Sequence, residues 1–410
     1  MKHGRSPARG EARATPALSA PLSVILPTAT ETALLRACLF TGTAGRRAWD
    51  VWQQETSGVD GIAALAGSVK ALIPLIQRAA ARNGALVEGA ARMALSAGSF
   101  REELRTKTYR RICAEVLGEL ASEDIPVVVL GGAALADSVY ADPILRHCHD
   151  LDLLLHQRDL ARAERLLTDR KDFASSSPPR TETVNDITLT HASALPVELH
   201  SRLLAIPWYP VPLAEVWARA RGHIVNGMPA SILSPADNLL HVCARVSSEP
   251  RRPSLRWVCD SWFIVDRHPD LDWDVLIDCA ARSHLALPLS VALTYLAREM
   301  ALAVPSTVLD QIYAAAARTD RIRREVALHC ARASGRGSLR TLIRTSRSWR
   351  ARGAVIQWML VPSPAYVRWV EPIRRWWELP IRYVQRPLRY LLRRLRSRLL
   401  TVGQTTTTPR

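Results

Sequence analysis

The chain has 410 residues, enough for two or three domains with a substantial core, and its composition is ordinary for a globular protein. Its seven cysteines are scattered, odd in number and without a CxxC pair. This pattern argues against a disulfide framework or a zinc site and predicts a cytoplasmic location. The N-terminus does not resemble a signal peptide, and no run of about eighteen apolar residues predicts a membrane-spanning helix.

The formal net charge of +17 comes from the last quarter of the chain. Residues 301–410 contain 22 arginines and no lysine against five acidic residues, so residues 1–300 are neutral overall. A basic segment on a neutral body predicts a separate role for that segment, such as binding an anionic surface or polymer.

The first part of the chain is predicted to be a tail followed by helices. Residues 1–25 are rich in Pro, Ala, Arg and Ser, which predicts a disordered tail. From 26 to 123, apolar residues recur at helical spacing, as at Ile112, Val116 and Leu120. Glycine and proline are sparse within these runs, so this region is predicted to be helical.

An α/β core is predicted over residues 124–210. The apolar run 127–130 ends at Gly131-Gly132, which predicts a buried strand entering a tight turn before a helix. Further strands are predicted at 150–155, 186–190 and 196–199, with a helix between the first two of these. The alternation of short strands with helices indicates a small sheet.

Helical periodicity returns after this core, and it predicts a C-terminal helical domain over 211–338. Ser234-Pro235 is typical of a helix start. The remainder, 339–410, is a basic tail rich in arginine and tryptophan. The predicted fold class is therefore α+β, with a small mixed-sheet core between two helical regions.

The residues best suited to chemistry are carboxylates within the predicted core. On a strand, Asp150 and Asp152 point to one face while Leu151 points to the other. Paired carboxylates repel one another unless a cation lies between them, so the pair predicts a magnesium site. Glu198 and His200 share a face in the same way, and three carboxylates can hold two metal ions.

Each of these motifs also has a purely structural interpretation. An Asp-Leu-Asp triplet alone is more often a strand end or a solvated face, and Gly-Gly alone is usually a turn. Their order along the chain favours function: a strand, Gly-Gly, a helix, an acidic pair on a second strand, and an acid on a later strand.

This order resembles the polymerase-beta-type nucleotidyltransferase superfamily. Several segments resemble one bacterial branch in particular, an uncharacterised nucleotidyltransferase family found in biosynthetic gene clusters. The likeness covers about residues 30–310, and its segments are Leu130-Gly-Gly-Ala-Ala-Leu, Asp150-Leu-Asp-Leu-Leu-Leu, Glu198-Leu-His, Leu239-Leu-His-Val-Cys and Leu255-Arg-Trp-Val-Cys-Asp. One departure is Gly131, where that branch often has lysine.

The resemblance implies a two-metal nucleotidyltransferase that uses a nucleoside triphosphate such as ATP. Asp150 and Asp152 would hold two Mg²⁺ ions, and Glu198 would complete the catalytic metal site and help to deprotonate the acceptor hydroxyl. The residues implied to bind the nucleotide are Gly131, Gly132, Arg146, His200, His241 and Asp260.

The acceptor is left open by the sequence, which allows a small molecule, a peptide or a glycan precursor. Two other functions stay open: a non-catalytic binding protein that keeps this fold, and nucleotide addition directed by RNA. In residues 366–400 arginines alternate with tryptophans and tyrosines. This mixture suits an anionic membrane, with the protein peripheral to it, or a nucleic acid, or else an appendage packed on the body.

Overall fold

The computed structural model describes residues 20–56, 67–85, 87–170, 172–175, 186–204, 209–248 and 254–332, with single positions and a short stretch between 349 and 385. The chain forms two compact units. The helical unit comprises Met1–Leu95 and Pro235–Gly335, and the sheet unit comprises Ser96–Ser234 and Arg336–Arg410. The helical unit is therefore discontinuous in sequence, because the sheet unit is inserted into it.

A mixed seven-stranded sheet forms the centre of the sheet unit, within the residues that the structure describes. Its strands are β1 (Val127–Val129), β2 (Leu151–Leu155), β3 (Phe173–Ser175), β4 (Ile187–His191), β5 (Pro196–His200), β6 (Arg221–Val225) and β7 (Met228–Ile232). The spatial order is β3-β4-β5-β2-β1-β7-β6. β2 pairs in parallel with β5, as β1 does with β7, and the other pairs are antiparallel. The predicted α+β class is confirmed.

Alternating side chains give the sheet two different faces. Leu151, Leu153 and Leu155 of β2 join a large core that includes Ile112 and Val116 of the long helix, Gly89–Ser122. Leu154 points the other way, into a smaller cluster. Helices of the sheet unit are Gly131–Ser138, Leu160–Thr168, Leu213–Arg219 and most of Gly89–Ser122, with a 3-10 turn at Pro143–Leu145. The faces of the acidic residues follow from this alternation.

In the helical unit, helices from Met1–Leu95 pack with helices from Pro235–Gly335. Its helices are Ala29–Leu39, Gly42–Glu55, Gly67–Lys70, Ile73–Arg82, Pro235–Ser248, Arg256–Arg267, Trp273–Arg282, Ala286–Glu299, Ser306–Ala317 and Arg321–Arg332, after a 3-10 turn at Ala20–Ile25. The Thr32 and Tyr295 hydroxyls lie 2.9 Å apart in a buried hydrogen bond, and Arg36 pairs with Glu299 at 2.7 Å. These contacts bind the first helix to a helix more than 250 residues later.

The hairpin β6–β7 corrects the expectation that the whole of 211–338 forms a helical domain. Its two-residue turn is Asn226-Gly227, with φ of 53° and 85°, and Val225 pairs with Met228. Positive φ at both turn residues is the backbone of the type I′ hairpin, for which Asn-Gly is the preferred sequence. The short strand β3 was also absent from the predicted elements. The predicted helix start at Pro235 is confirmed.

The described residues also bear on the predictions for membrane crossing, cysteines and the basic tail. Among the described residues, no helix combines the length and the apolar character that crossing a bilayer requires. The seven cysteines all lie in described parts of the chain, and none of them forms a disulfide. Most of the basic segment 366–400 lies outside the described residues, so its predicted partners stay predictions.

The turn of the β6–β7 hairpin gives a test of the sheet unit. Gly227→Ala places a side chain at φ of 85°, which should destabilise the protein by about 1–2 kcal/mol. Gly222→Ala in β6 is the matched control, because its added Cβ would meet nothing within 4 Å. Urea denaturation followed by circular dichroism measures both variants. Equal stability of the two would contradict the I′ turn.

Candidate metal centre

The parallel pairing of β2 with β5 places Asp152 directly opposite Glu198. Val197 and Leu199 flank Glu198 and point into the large core, so Glu198 and His200 project from the other face. Leu153 anchors β2 in that same core. The acidic face of the two strands is therefore fixed by the burial of their apolar neighbours.

One ligand atom each from Asp152, Glu198 and His200 lies within 4.8 Å of the other two. The Nε2 atom of His200 is 3.2 Å from Asp152 Oδ1 and 3.5 Å from Glu198 Oε2. Its Nδ1 atom is 3.5 Å from Asp186 Oδ1. Asp152 is 5% exposed and the Glu198 side chain 37% exposed, so the group is buried at one side and open at the other.

The imidazole of His200 is held by carboxylates on both of its nitrogen atoms. Burial by itself lowers the pKa of His200, but the hydrogen bond to Asp152 and the negative charges of Asp152 and Asp186 outweigh it and raise the pKa from 6.5 to about 10. The charged imidazolium thus offsets repulsion among the surrounding carboxylates.

This donor set fits a divalent cation. Ligands of one ion lie within a few ångströms of one another, as these three do. Two carboxylates with one imidazole suit ions that prefer oxygen and accept nitrogen. A metal-bound imidazole must be neutral, so a cation that used His200 would have to displace its proton.

Asp150 lies immediately before β2 and has different surroundings. Its Oδ2 atom is 3.2 Å from His149 Nε2. The His149 ring stacks on His147 with centroids 5.9 Å apart, and His147 Nδ1 is 2.7 Å from Glu102 Oε2. Of the three predicted metal ligands, the structure brings Asp152 and Glu198 together with His200. Asp150 is outside the potential ligand group found among the described residues.

Several residues of this neighbourhood were not among the predicted site residues. Asp186 marked only the start of a predicted strand, although its proximity to His200 follows once β4 pairs with β5. His147 and His149 flank Cys148 just before the acidic pair, and this cluster of polar side chains could have been recognised in the sequence as part of the site. Glu102 gives no such signal, because it comes from a helix 45 residues earlier.

The Gly-Gly turn is shaped by close packing. The helix Gly131–Ser138 begins at the first glycine, whose φ is 55°, a left-handed conformation that favours glycine. A Cβ on Gly132 would lie 2.9 Å from Cys148 Sγ and 3.0 Å from Arg146 Nη1. Arg146 is buried, and its Nη1 donates to the His147 carbonyl. The structure therefore brings Gly132 and Arg146 together beside the start of a helix.

The two remaining predicted nucleotide contacts belong to the helical unit. His241 lies on Pro235–Ser248 and Asp260 on Arg256–Arg267, and both are buried. Their role in nucleotide binding stays a prediction that rests on the resemblance.

The chain has a match among known protein families. A family model described as an uncharacterised nucleotidyltransferase matches residues 61–301, which is more than half of the chain. The chain belongs to this nucleotidyltransferase family. The match includes both strands of the candidate metal centre and part of the helical unit. A comparison with curated proteins finds no match.

His200 gives the metal centre a defined pH dependence. Because its folded pKa of about 10 exceeds 6.5, its contribution to stability is full below pH 6.5 and is lost as pH rises through 10. In chelator-treated protein, the stability difference between wild type and His200→Asn should shrink over this range. Urea denaturation at several pH values measures it, with His223→Asn on β6 as control. A difference that stayed constant with pH would contradict the ion pairs.

Proposed function

We propose that the protein is a Mg²⁺-dependent nucleotidyltransferase that moves a nucleotidyl group from a nucleoside triphosphate to an acceptor hydroxyl. The observation that carries this proposal is the facing pair Asp152 and Glu198 on adjacent parallel strands, in a chain of a nucleotidyltransferase family. Carboxylates from neighbouring strands are suited to hold the cations that phosphoryl transfer requires.

Asp152 and Glu198 would hold the catalytic Mg²⁺, and Asp150 would complete a second site at the start of β2. When bound, magnesium neutralises negative charge on the phosphate groups. Asp152 is buried against His200, so its carboxylate is held in a fixed orientation before substrate binds. Such preorganisation lowers the cost of reaching the reactive arrangement.

The nucleotide phosphates would lie at the start of Gly131–Ser138. Backbone N–H groups at a helix N-terminus favour anions, and the helix that begins at Gly131 offers such groups. The buried guanidinium of Arg146, 3.0 Å from the position of a Gly132 Cβ, supplies positive charge beside this turn. His200 contributes a further positive charge next to Asp152. These groups would orient the triphosphate through charge and hydrogen bonding.

Asp152→Asn should abolish metal-dependent transfer. Removing a residue that only orients a metal ligand typically lowers metal affinity or activity by about 10–100-fold. The loss of a ligand itself should therefore lower the transfer activity by more than about 100-fold. Asp186→Asn, which alters a partner of His200, should fall in that smaller range. Asp278→Asn, a change to an exposed ion pair of the helical unit, is the matched control.

The measurement uses each α-labelled nucleoside triphosphate with and without Mg²⁺, together with a panel of small-molecule, peptide and glycan acceptors. Circular dichroism checks that each variant is folded. A wild-type protein that binds no triphosphate in the presence of Mg²⁺ would favour the non-catalytic alternative. An Asp152→Asn variant with normal turnover would remove Asp152 from the mechanism.

We further propose that the basic segment 366–400 holds the cytoplasmic protein on an anionic partner, either a membrane surface or a nucleic acid. The support is the sequence itself, since the arginine excess beyond residue 300 equals the whole net charge. Electrostatic binding of this kind weakens as salt screens the charges.

Truncation after Val361 should abolish co-sedimentation with phosphatidylglycerol vesicles or with RNA while metal-dependent transfer is retained. Phosphatidylcholine vesicles are the control for charge, and a salt series tests whether binding of the full chain weakens with ionic strength. If the full chain binds neither partner at low salt, the anionic-partner proposal is wrong.

A further inference from the structure

The basic segment 366–400 presents apolar side chains to solvent in the part that the structure describes. Residues 378–383 are helical and follow a turn at Trp377. Trp377 and Ile381 are 46% and 44% exposed, and a spacing of four residues places them on one side of the helical stretch. Single exposed apolar side chains are ordinary on a protein surface, whereas neighbouring ones form a patch that favours contact with an apolar partner.

Exposed apolar residues are concentrated toward this end of the chain. Among the described residues, the exposed large apolar side chains are Val51, Met93, Phe100, Leu104, Ile224, Trp349, Trp377 and Ile381. Three of these eight come from the thirteen residues that the structure describes beyond position 339. Val367, near the start of the basic segment, is buried, whereas Trp377 and Ile381 face solvent. Packing on the protein body therefore does not account for these last two side chains.

The sequence repeats this combination of apolar and basic residues after Pro387. Leucines recur there at spacings of three and four residues, which is the pattern of an amphipathic helix: Leu388, Leu391, Leu392, Leu395 and Leu399. Arginine occupies five of the seven positions between these leucines. The leucines lie outside the described residues, so their helix is a prediction from the sequence.

The charge of the segment favours an anionic partner, and its apolar residues favour a lipid one. Residues 366–400 contain ten arginines and two glutamates. Arginine is attracted to anionic lipid headgroups and to nucleic-acid phosphates alike. Leucine and isoleucine side chains gain nothing from a charged phosphate backbone, whereas lipid acyl chains bury them and tryptophan prefers the membrane interface. The apolar residues therefore distinguish between the two anionic partners.

We propose that the basic segment 366–400 binds an anionic lipid membrane and lies on its surface, with Trp377 and Ile381 inserted among the lipids. The proposal rests on the anionic-partner function proposed above and narrows it to one partner. Arginines supply an attraction that salt screens, and insertion of the apolar side chains supplies a contribution that salt does not screen. Vesicle binding should therefore weaken with ionic strength without disappearing.

A double variant, Trp377→Ser with Ile381→Ser, tests the insertion, because it removes the exposed apolar surface and keeps every arginine. Phe100→Ser with Leu104→Ser is the matched control. This pair also joins an aromatic to an aliphatic residue four positions later on a helix, and it is 62% and 50% exposed, but it lies outside the basic segment.

The full chain is mixed with vesicles of phosphatidylglycerol and phosphatidylcholine in equal parts, with vesicles of phosphatidylcholine alone, or with polyuridylic acid as the RNA. Co-sedimentation measures binding to vesicles, and fluorescence anisotropy of labelled RNA measures binding to the polynucleotide. Circular dichroism checks that each variant is folded, and Ile381→Ser alone replaces the double variant if the latter does not fold.

Wild type and the control should bind the anionic vesicles equally, and the double variant at least about tenfold more weakly, because it loses two apolar side chains that lipid would bury. Ile381→Ser alone should weaken vesicle binding and leave RNA binding unchanged, because an aliphatic side chain does not stack on bases. Equal vesicle binding by wild type and the folded tail variant overturns the proposal. An equal loss in the control, or equal binding to phosphatidylcholine alone, overturns it as well.

The RNA arm separates this proposal from the broader one. Binding of RNA without binding of anionic vesicles contradicts the membrane proposal and leaves the anionic-partner function standing, with a nucleic acid as the partner. Binding of neither contradicts both.

Discussion

The site depends on the parallel register of β2 and β5, which forces the carboxylates of Asp152 and Glu198 to face one another. Two like charges about 4 Å apart at a partly buried position repel by about 4 kcal/mol, so the arrangement needs a compensating positive charge. His200 supplies one from the next outward-facing position of β5. Three apolar neighbours, Leu153, Val197 and Leu199, resist any shift in register, because a slip of one residue would expose them.

A second set of contacts supports the start of β2. Gly132 admits Arg146 and Cys148 against the beginning of a helix, and Arg146 in turn donates to the carbonyl of His147. His147 is held by Glu102 of the long helix. The segment before Asp150 is therefore fixed from both sides, which explains why glycine is required at a position with an ordinary negative φ. A side chain at residue 132 would displace the arginine.

The helical unit is discontinuous in sequence, and its two parts meet although the sheet unit separates them along the chain. Its first helix and the helix Ala286–Glu299 are joined by the hydrogen bond of Thr32 with Tyr295 and by the ion pair of Arg36 with Glu299. The sheet unit is inserted between these two parts. His241 and Asp260, whose nucleotide contacts stay predictions, are buried in this helical unit.

The sequence alone determined the α+β class, the shared face of Glu198 and His200 and the family, because alternation and motif order are local properties of the chain. It also contained the Asn226-Gly227 turn, a local signal that the broader helical periodicity obscured. Only the tertiary structure decided which acids meet. The pairing of β2 with β5 joins Asp152 to Glu198 across 46 residues of chain, and β4 brings Asp186 to His200. Asp150 takes His149 as its neighbour because it precedes the strand, and Glu102 reaches His147 from a distant helix. Such contacts depend on strand order and helix packing, which no local pattern encodes.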